Sequence, residues 1–280
     1  MKIIANISEM QSLAGSLRKE GRTIGFVPTM GFLHEGHLSL MRRARQECDI
    51  VVASIFVNPT QFGPQEDLDR YPRDEAGDRG KCESVGVDVL FMPVAGDMYP
   101  EKPPVYIVVE GISDVLEGAI RPGHYRGVAT VVSKLFNIVR PHKAFFGQKD
   151  YQQCVVLKRM VRGLNLDVEV VVLPTVREPD GLAMSSRNSY LSAGERRAAS
   201  VISRALRAAE QTSKAGVNDP GKLKNTIEAV LHEEQGIAID YIECADPETL
   251  VPLPSAGNSM VLLVAVRVGR TRLIDNVLIL

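Results

Sequence analysis

The sequence predicts an α/β fold, a Rossmann-like doubly wound parallel sheet followed by a smaller C-terminal α+β domain. Three observations lead there. The first half alternates short β-branched apolar runs with amphipathic segments of helical length, the pattern of successive βαβ units. Within it, Ile50 to Val57 is a succession of eight uncharged, mainly β-branched residues, which suits a strand covered on both faces. The 280 residues exceed one typical domain, and the alternation stops near Thr175, where composition changes.

Taken in order, Ile24 to Val27 reads as a strand, and His37 to Cys48 as a helix with Leu38, Leu40, Met41 and Ala44 on its apolar face. Ile50 to Val57 is the next strand. Arg73 to Val85 reads as a helix stopped by Gly86, and Val87 to Met92 as a further strand. After Pro103-Pro104 come a short strand Val105 to Val109, an apolar helix Val128 to Val139 and a buried strand Lys143 to Gly147. A helix Tyr151 to Arg162 and a strand Val168 to Leu173 close the series. From Arg177 to Ser192 the chain is polar. Ala- and Arg-rich helices Glu195 to Ala215 and Gly221 to Glu234 follow, then strands near Ile239 to Glu243 and Val261 to Arg267. The expected domains are therefore 1–175 and 176–280.

Lys+Arg 33 against Asp+Glu 34 leaves a net charge of −1, without blocks of like charge. That balance argues against nucleic acid or a membrane surface as partner and for a small molecule. The longest apolar run, Met260 to Val266, is seven residues, too short to span a bilayer, and the N-terminus lacks a signal-peptide core. Cys48, Cys82, Cys154 and Cys244 have neither C-x-x-C spacing nor a histidine at ligand distance, so they read as reduced, buried thiols of a cytoplasmic protein.

The sharpest motif is Pro28-Thr29-Met30-Gly31-Phe32-Leu33-His34-Glu35-Gly36-His37, which follows the first strong strand and opens a helix. A helix N-terminus offers unpaired N–H groups and the positive end of the dipole, and two imidazoles at i and i+3 on that turn add donors for phosphate oxygens. Zinc would need a third ligand, and helical zinc motifs space their histidines i, i+4; histidines merely on the surface are the bland alternative. Asn58-Pro59-Thr60-Gln61-Phe62 lies at the carboxyl end of a central strand, where open parallel sheets bind ligands, although Asn58-Pro59 alone is also an ordinary turn. Gly147-Gln148-Lys149-Asp150 repeats that placement; Lys149 suits a phosphate or simple exposure, and Asp150 a ribose hydroxyl or a helix cap. Met184-Ser185-Ser186-Arg187, after the Asp180-Gly181 turn signal, offers two hydroxyls and a guanidinium to a triphosphate, or is a surface loop.

Thr29 to His37 resembles the H-x-G-H signature of the adenylyl-transferring α/β superfamily. Together with Phe56 to Phe62, Tyr71-Pro72-Arg73, Phe146 to Gln153 and Met184 to Asn188, it is similar to the pantoate–β-alanine ligase family, in order and over essentially the whole chain. The resemblance implies ATP-dependent condensation of (R)-pantoate with β-alanine through a pantoyl-adenylate, releasing AMP and pyrophosphate. It implies His34, His37, Lys149, Ser185, Ser186 and Arg187 as catalytic, with Pro28, Thr29, Met30, Gly147, Asp150, Val176 and Met184 also at ATP. Pantoate falls to Gln61 and Gln153, with Met30, Asn58, Phe56 and Phe62. Mg²⁺ is expected on the triphosphate, with Asp78 as an outer-shell partner, and a homodimer through the N-terminal domain. A nucleotidyltransferase that leaves the nucleotide on its product, or a regulatory nucleotide-binding module, would share the H-x-G-H signature.

Elsewhere, Glu117 and Arg121, four apart, suit a helix-face ion pair as readily as a role at the site. His124 and Tyr125 border a glycine-rich loop at the pocket rim, His142 and His232 read as structural or exposed, and the Arg196, Arg197, Arg204 and Arg207 set as a solvated face.

Overall fold

The computed structural model describes residues 1–64, 66–100, 105–257 and 259–280. They divide into two compact units, Met1–Gly147 with Gln152–Leu173, and Gln148–Tyr151 with Pro174–Leu280. The expected segments 1–175 and 176–280 differ from this chiefly at residues 148–151, which group with the second unit. Asn276 is the physical reason, since its Nδ2 donates to the carbonyls of Gln148 at 2.9 Å and Lys149 at 3.0 Å.

The first unit runs β1 (Lys2–Ile4), α1 (Ile7–Lys19), β2 (Ile24–Thr29), α2 (Glu35–Glu47), β3 (Ile50–Ile55), α3 (Glu75–Ser84) and β4 (Val89–Phe91), then the short helices α4 (Ala95–Met98) and α5 (Glu117–Ile120). It continues through α6 (His124–Val139), β5 (Lys143–Gly147), α7 (Tyr151–Gly163), whose first residue groups with the second unit, and β6 (Glu169–Leu173). The six strands pair in parallel in the order β1-β4-β3-β2-β5-β6. The strand order therefore reverses at β2, and crevices at such reversals, outside the carboxyl ends of the strands, are where open α/β sheets bind ligands. β2 pairs with β5 only at Gly25↔Lys143 and Phe26↔Ala144, so Val27 to Thr29 keep β3 alone as neighbour. Pro28, which has no N–H to give a ladder, occupies that splayed end.

One face of this sheet is filled by Leu40, Met41 and Ala44 of α2 and Cys82 of α3, packed on Val27, Val51, Ala53, Leu90 and Phe145. Helix ends follow local chemistry. Asn6 caps α1 by accepting from the Glu9 N–H at 3.0 Å, and Asp74 caps α3 through Gly77 at 3.0 Å. All four cysteines are buried and outside any disulfide; burial pushes the Cys82 thiol up to about 12.

The second unit adds α8 (Ala193–Ala199), α9 (Val201–Lys214) and α10 (Pro220–His232) to an antiparallel sheet of β7 (Ile237–Ala245), β8 (Met260–Val268) and β9 (Thr271–Ile279), in the order β7-β8-β9. Its core joins Val201, Ile202, Leu206, Leu223, Ile227 and Leu231 to Leu262, Val264 and Val266 of the central strand. Among the described residues no helix is long and apolar enough to cross a membrane.

Several elements depart from the sequence expectations. Residues 105–109 form no strand: Val105 and Val108 are exposed, and the Ile107 N–H donates to Thr130 Oγ1 at 3.0 Å. Pro103-Pro104, read as the boundary before them, lie outside the described residues. The helix expected from Val128 starts at His124, behind Gly123 in the left-handed region. The single helix expected over 195–215 is two, broken at Ser200, whose hydroxyl bonds back to the Arg197 carbonyl at 2.8 Å. β1, α1 and β9 were not anticipated.

Candidate active site

β2 delivers the first motif to the carboxyl edge of the sheet. Gly31, at φ +83°, turns the chain, and Phe32 follows at φ +50°, a conformation that costs a non-glycine residue energy and needs outside support. Asp78 of α3 supplies it: Oδ2 accepts from the Phe32 N–H and Oδ1 from the Leu33 N–H, both at 2.7 Å. Burial raises the Asp78 pKa, opposed by those two bonds and by Lys81. Both oxygens thus hold the loop. The Thr29 hydroxyl is likewise spent internally, donating to the Ser54 carbonyl at 2.7 Å and accepting from Gly31 at 3.1 Å.

Held this way, His34 becomes the N-cap residue of α2, with His37 one turn on and ring centroids 4.1 Å apart. The His34 N–H donates to His37 Nδ1 at 3.3 Å. A nitrogen that accepts carries no proton, so the neutral His37 ring bears its hydrogen on Nε2 and presents a donor. By helix geometry the Glu35 and Gly36 N–H groups have no intrahelical acceptor, and the dipole adds positive potential there. Glu35, the acid inside the motif, bonds to Arg42, which holds its carboxyl below the usual range; it does not oppose an anion at this turn.

β3 delivers the second motif. Asn58 is buried, and its Oδ1 accepts from Tyr99 Oη at 2.9 Å and Thr60 Oγ1 at 3.0 Å. Its Nδ2 donates to Gln61 Oε1 at 3.1 Å and the Gly127 carbonyl at 3.3 Å. With its polar atoms so engaged, Asn58 braces Gln61. Gln61 Nε2 lies 3.1 Å from Met30 Sδ, which brings the ends of β2 and β3 together. Phe56 is buried, and Phe62 meets Tyr71 edge to face at 6.0 Å. On α7, Gln153 is partly exposed, whereas its neighbour Gln152 is buried and donates to the Ile112 and Val115 carbonyls at 2.7 and 2.8 Å.

In the second unit, Arg177 bridges to Ala183, and the Met184 N–H donates to the Val176 carbonyl at 3.0 Å, so Val176 and Met184 face each other across a hairpin turned at Gly181. Arg177 clamps buried Asp275 through both oxygens, at 2.6 and 3.1 Å. Ser185 caps a short 3₁₀ turn, Ser186–Tyr190, accepting from the Arg187 N–H at 3.3 Å, and Ser186 is buried. Lys149 Nζ lies 3.4 Å from Asp150 Oδ1, on the segment that Asn276 holds. The expected Glu117–Arg121 pair is not the one formed: Arg121 grips Glu66 instead, with Nε at 2.8 Å from Oε1. Asn276, Tyr99 and Glu66 make these contacts within their own units and were not singled out in the sequence; the Gly269-Arg270 turn between two apolar runs was the available sign of β9.

No group of three or more His, Cys, Asp or Glu side chains suits a metal ion among the described residues.

A reversal-point parallel sheet with paired imidazoles on a helix N-terminus after one strand and an amide-lined turn after the next defines a nucleotide-dependent enzyme acting on a small polar acid. The family model described as pantoate-beta-alanine ligase matches residues 2–278. Pantothenate synthetases from Caldicellulosiruptor saccharolyticus and Thermotoga petrophila are 51% and 53% identical over 279 residues, covering 100% of this chain and 99% and 100% of theirs. The crystal structure of the Thermus thermophilus pantothenate synthetase superposes with a TM-score of 0.94 at 47% identity, over 99% of each chain. That of the Francisella tularensis pantoate-beta-alanine ligase, described as complexed with beta-gamma ATP and beta-alanine, gives 0.82 at 38% identity, over 99% of this chain and 97% of that one. The chain belongs to the pantoate–β-alanine ligase family, and it is a ligase.

Proposed function

We propose that the reaction runs in two halves at the carboxyl edge of the parallel sheet. ATP and the pantoate carboxylate first give a pantoyl-adenylate and pyrophosphate; the β-alanine amine then displaces AMP to give pantothenate. The carboxylate is already ionised, so the first half needs positioning and charge neutralisation rather than a base. His37, through Nε2–H, and His34 donate to phosphate oxygens beside the Glu35 and Gly36 N–H groups. Lys149, Ser185, Ser186 and Arg187 take the charge that gathers on departing pyrophosphate, an interaction stronger in the transition state than in the ground state. Magnesium, carried by the triphosphate, supplies further charge neutralisation. Gln61 and Gln153 read the oxygens of the acid. The second unit, with its 176–188 hairpin and turn, acts as the lid, and the assembly is a cytoplasmic homodimer through the first unit.

The observation that carries this reading is the histidine pair on the α2 N-terminus, with the His37 tautomer fixed, within a chain matched by the family over residues 2–278. The test is exchange of labelled pyrophosphate into ATP with magnesium and pantoate, β-alanine being left out. Pantoate-dependent exchange is expected. Absence of exchange while ATP still binds would overturn the adenylate route.

A further inference from the structure

A chain of polar contacts behind the Gln61 turn remains outside the mechanism above. Arg121 lies just past α5, Glu66 in the loop after β3, and His124 at the start of α6. Arg121 donates Nε to Glu66 Oε1 at 2.8 Å and NH2 to Oε2, a two-point grip that fixes its plane. Its NH1 stands 3.2 Å from His124 Nε2, and His124 Nδ1 stands 2.9 Å from the Gln61 carbonyl oxygen. A guanidinium only donates and a carbonyl only accepts, so Nε2 is the acceptor and Nδ1 carries the hydrogen. Burial and the adjacent Arg121 push the His124 pKa down to about 4, against Glu66 and Glu117, so the ring stays neutral and the tautomer is fixed. With both nitrogens engaged, His124 has no role as a base.

The same turn is pressed from behind. A Cβ added to Gly127 would stand 2.4 Å from the Thr60 oxygen and 2.7 Å from Gln61 Cα, so the first turn of α6 lies directly on the turn's backbone. Asn58 holds the Gln61 side chain from the other direction.

We infer that Arg121 and His124 are positioning residues for Gln61: through the Gln61 carbonyl they fix the peptide from which its amide reaches the acid substrate. The inference rests on the reading of Gln61 as an acid-binding residue. Without the Nδ1–H bond the 61–62 peptide keeps only the longer bonds from the Phe62 N–H to the Pro59 carbonyl at 3.3 Å and from Arg121 at 3.5 Å, and the amide loses orientation toward the acid while the nucleotide's contacts are untouched. The effect is therefore on one substrate. Arg121 acts through His124, as the fixed donor that keeps Nε2 an acceptor, and its NH2 also reaches the Gln61 carbonyl at 3.5 Å, with Glu66 holding its plane.

Steady-state kinetics of full-length His124→Leu, His124→Asn, Arg121→Gln and Gln61→Ala test this, with melting curves as a check of folding. His124→Leu should raise the pantoate KM about tenfold with the ATP KM within about twofold. His124→Asn, whose amide N–H can stand where Nδ1–H stands, should recover most of that loss, which a packing role alone would not do. Arg121→Gln should move the pantoate KM the same way, and it carries the test if His124→Leu fails to fold. Equal changes in both KM values, or no difference between the Leu and Asn variants, overturns the positioning role while Gln61→Ala still raises the pantoate KM. If Gln61→Ala leaves the pantoate KM unchanged, the reading of Gln61 itself falls and the inference with it.

Discussion

The turns that follow β2 and β3 are neighbours at the same edge of the sheet, and they are held by opposite chemistry. The loop 31–33 is gripped by its N–H groups, on the two oxygens of Asp78 at 2.7 Å each. The turn 58–61 is gripped by a C=O, on His124 Nδ1 at 2.9 Å. The difference suits the role proposed for each turn. Beside the proposed anion site, a buried acceptor commits only the N–H groups that point inward, and those of the next helical turn stay available outward. Beside the proposed acid site, a donor network fixes the backbone without placing a net charge behind the amide. Each arrangement trades stability for placement, since a buried carboxylate and a partly buried neutral histidine both cost desolvation.

The largest effect that separates the two turns is expected on chemistry. His34→Ala or His37→Ala should slow pantoyl-adenylate formation on the order of 10²-fold with an unchanged melting temperature; single-turnover assays decide, and near wild-type rates in both variants would remove the phosphate role from this loop. Next comes stability. Asp78→Asn turns one arm of the grip into an N–H₂ facing an N–H, and should cost about 2 kcal/mol in denaturant titrations; a neutral result would mean the loop holds itself. Third, the His124 grip is pH-dependent. Its folded pKa of about 4 lies below its ordinary 6.5, so the unfolded chain binds the extra proton. This contribution is complete above pH 6.5 and is lost as pH falls toward 4, by no more than about 3 kcal/mol. Glu66 adds to the loss only further down: burial pushes its pKa up, but the Arg121 bond and charge outweigh that and hold it below the ordinary 4.5. Melting temperatures from pH 7 to pH 4 should fall less steeply in His124→Leu than in wild type; identical slopes would contradict this. The smallest change is the control: Glu75→Ala on the same helix as Asp78 removes only an exposed pair with Arg79 and should stay within about 0.5 kcal/mol.

What the sequence made legible was whatever is local. The H-x-G-H turn, the strands β2, β3 and β5 and the helices between them are written in residues within a few positions of each other. The braces are not. Arg121 has an acid at helical spacing in Glu117, and periodicity favours that pair, yet its partner Glu66 is 55 residues away along the chain. Asp78 reads as a first-turn helix acid because the N–H groups it accepts from lie 45 and 46 residues upstream. Asn58 reads as a ligand contact because its nearest oxygen partner, Tyr99, is 41 residues downstream. β9 escaped because Arg272, Asp275 and Asn276 interrupt its apolar pattern: Asp275 is consumed by Arg177 and Asn276 by two distant carbonyls.

That last contact bears on the order in which the molecule is assembled. Asn276 lies 128 residues downstream of Gln148, and a nascent chain emerges N-terminus first. The histidine loop, its Asp78 anchor and the His124 brace are all out of the ribosome before Asn276 is synthesised. The segment carrying Lys149 gains its final hold only once β9 has paired with β8. Long loops of this kind close late, so during synthesis the histidine pair precedes, by more than a hundred residues, the support for the segment that carries Lys149.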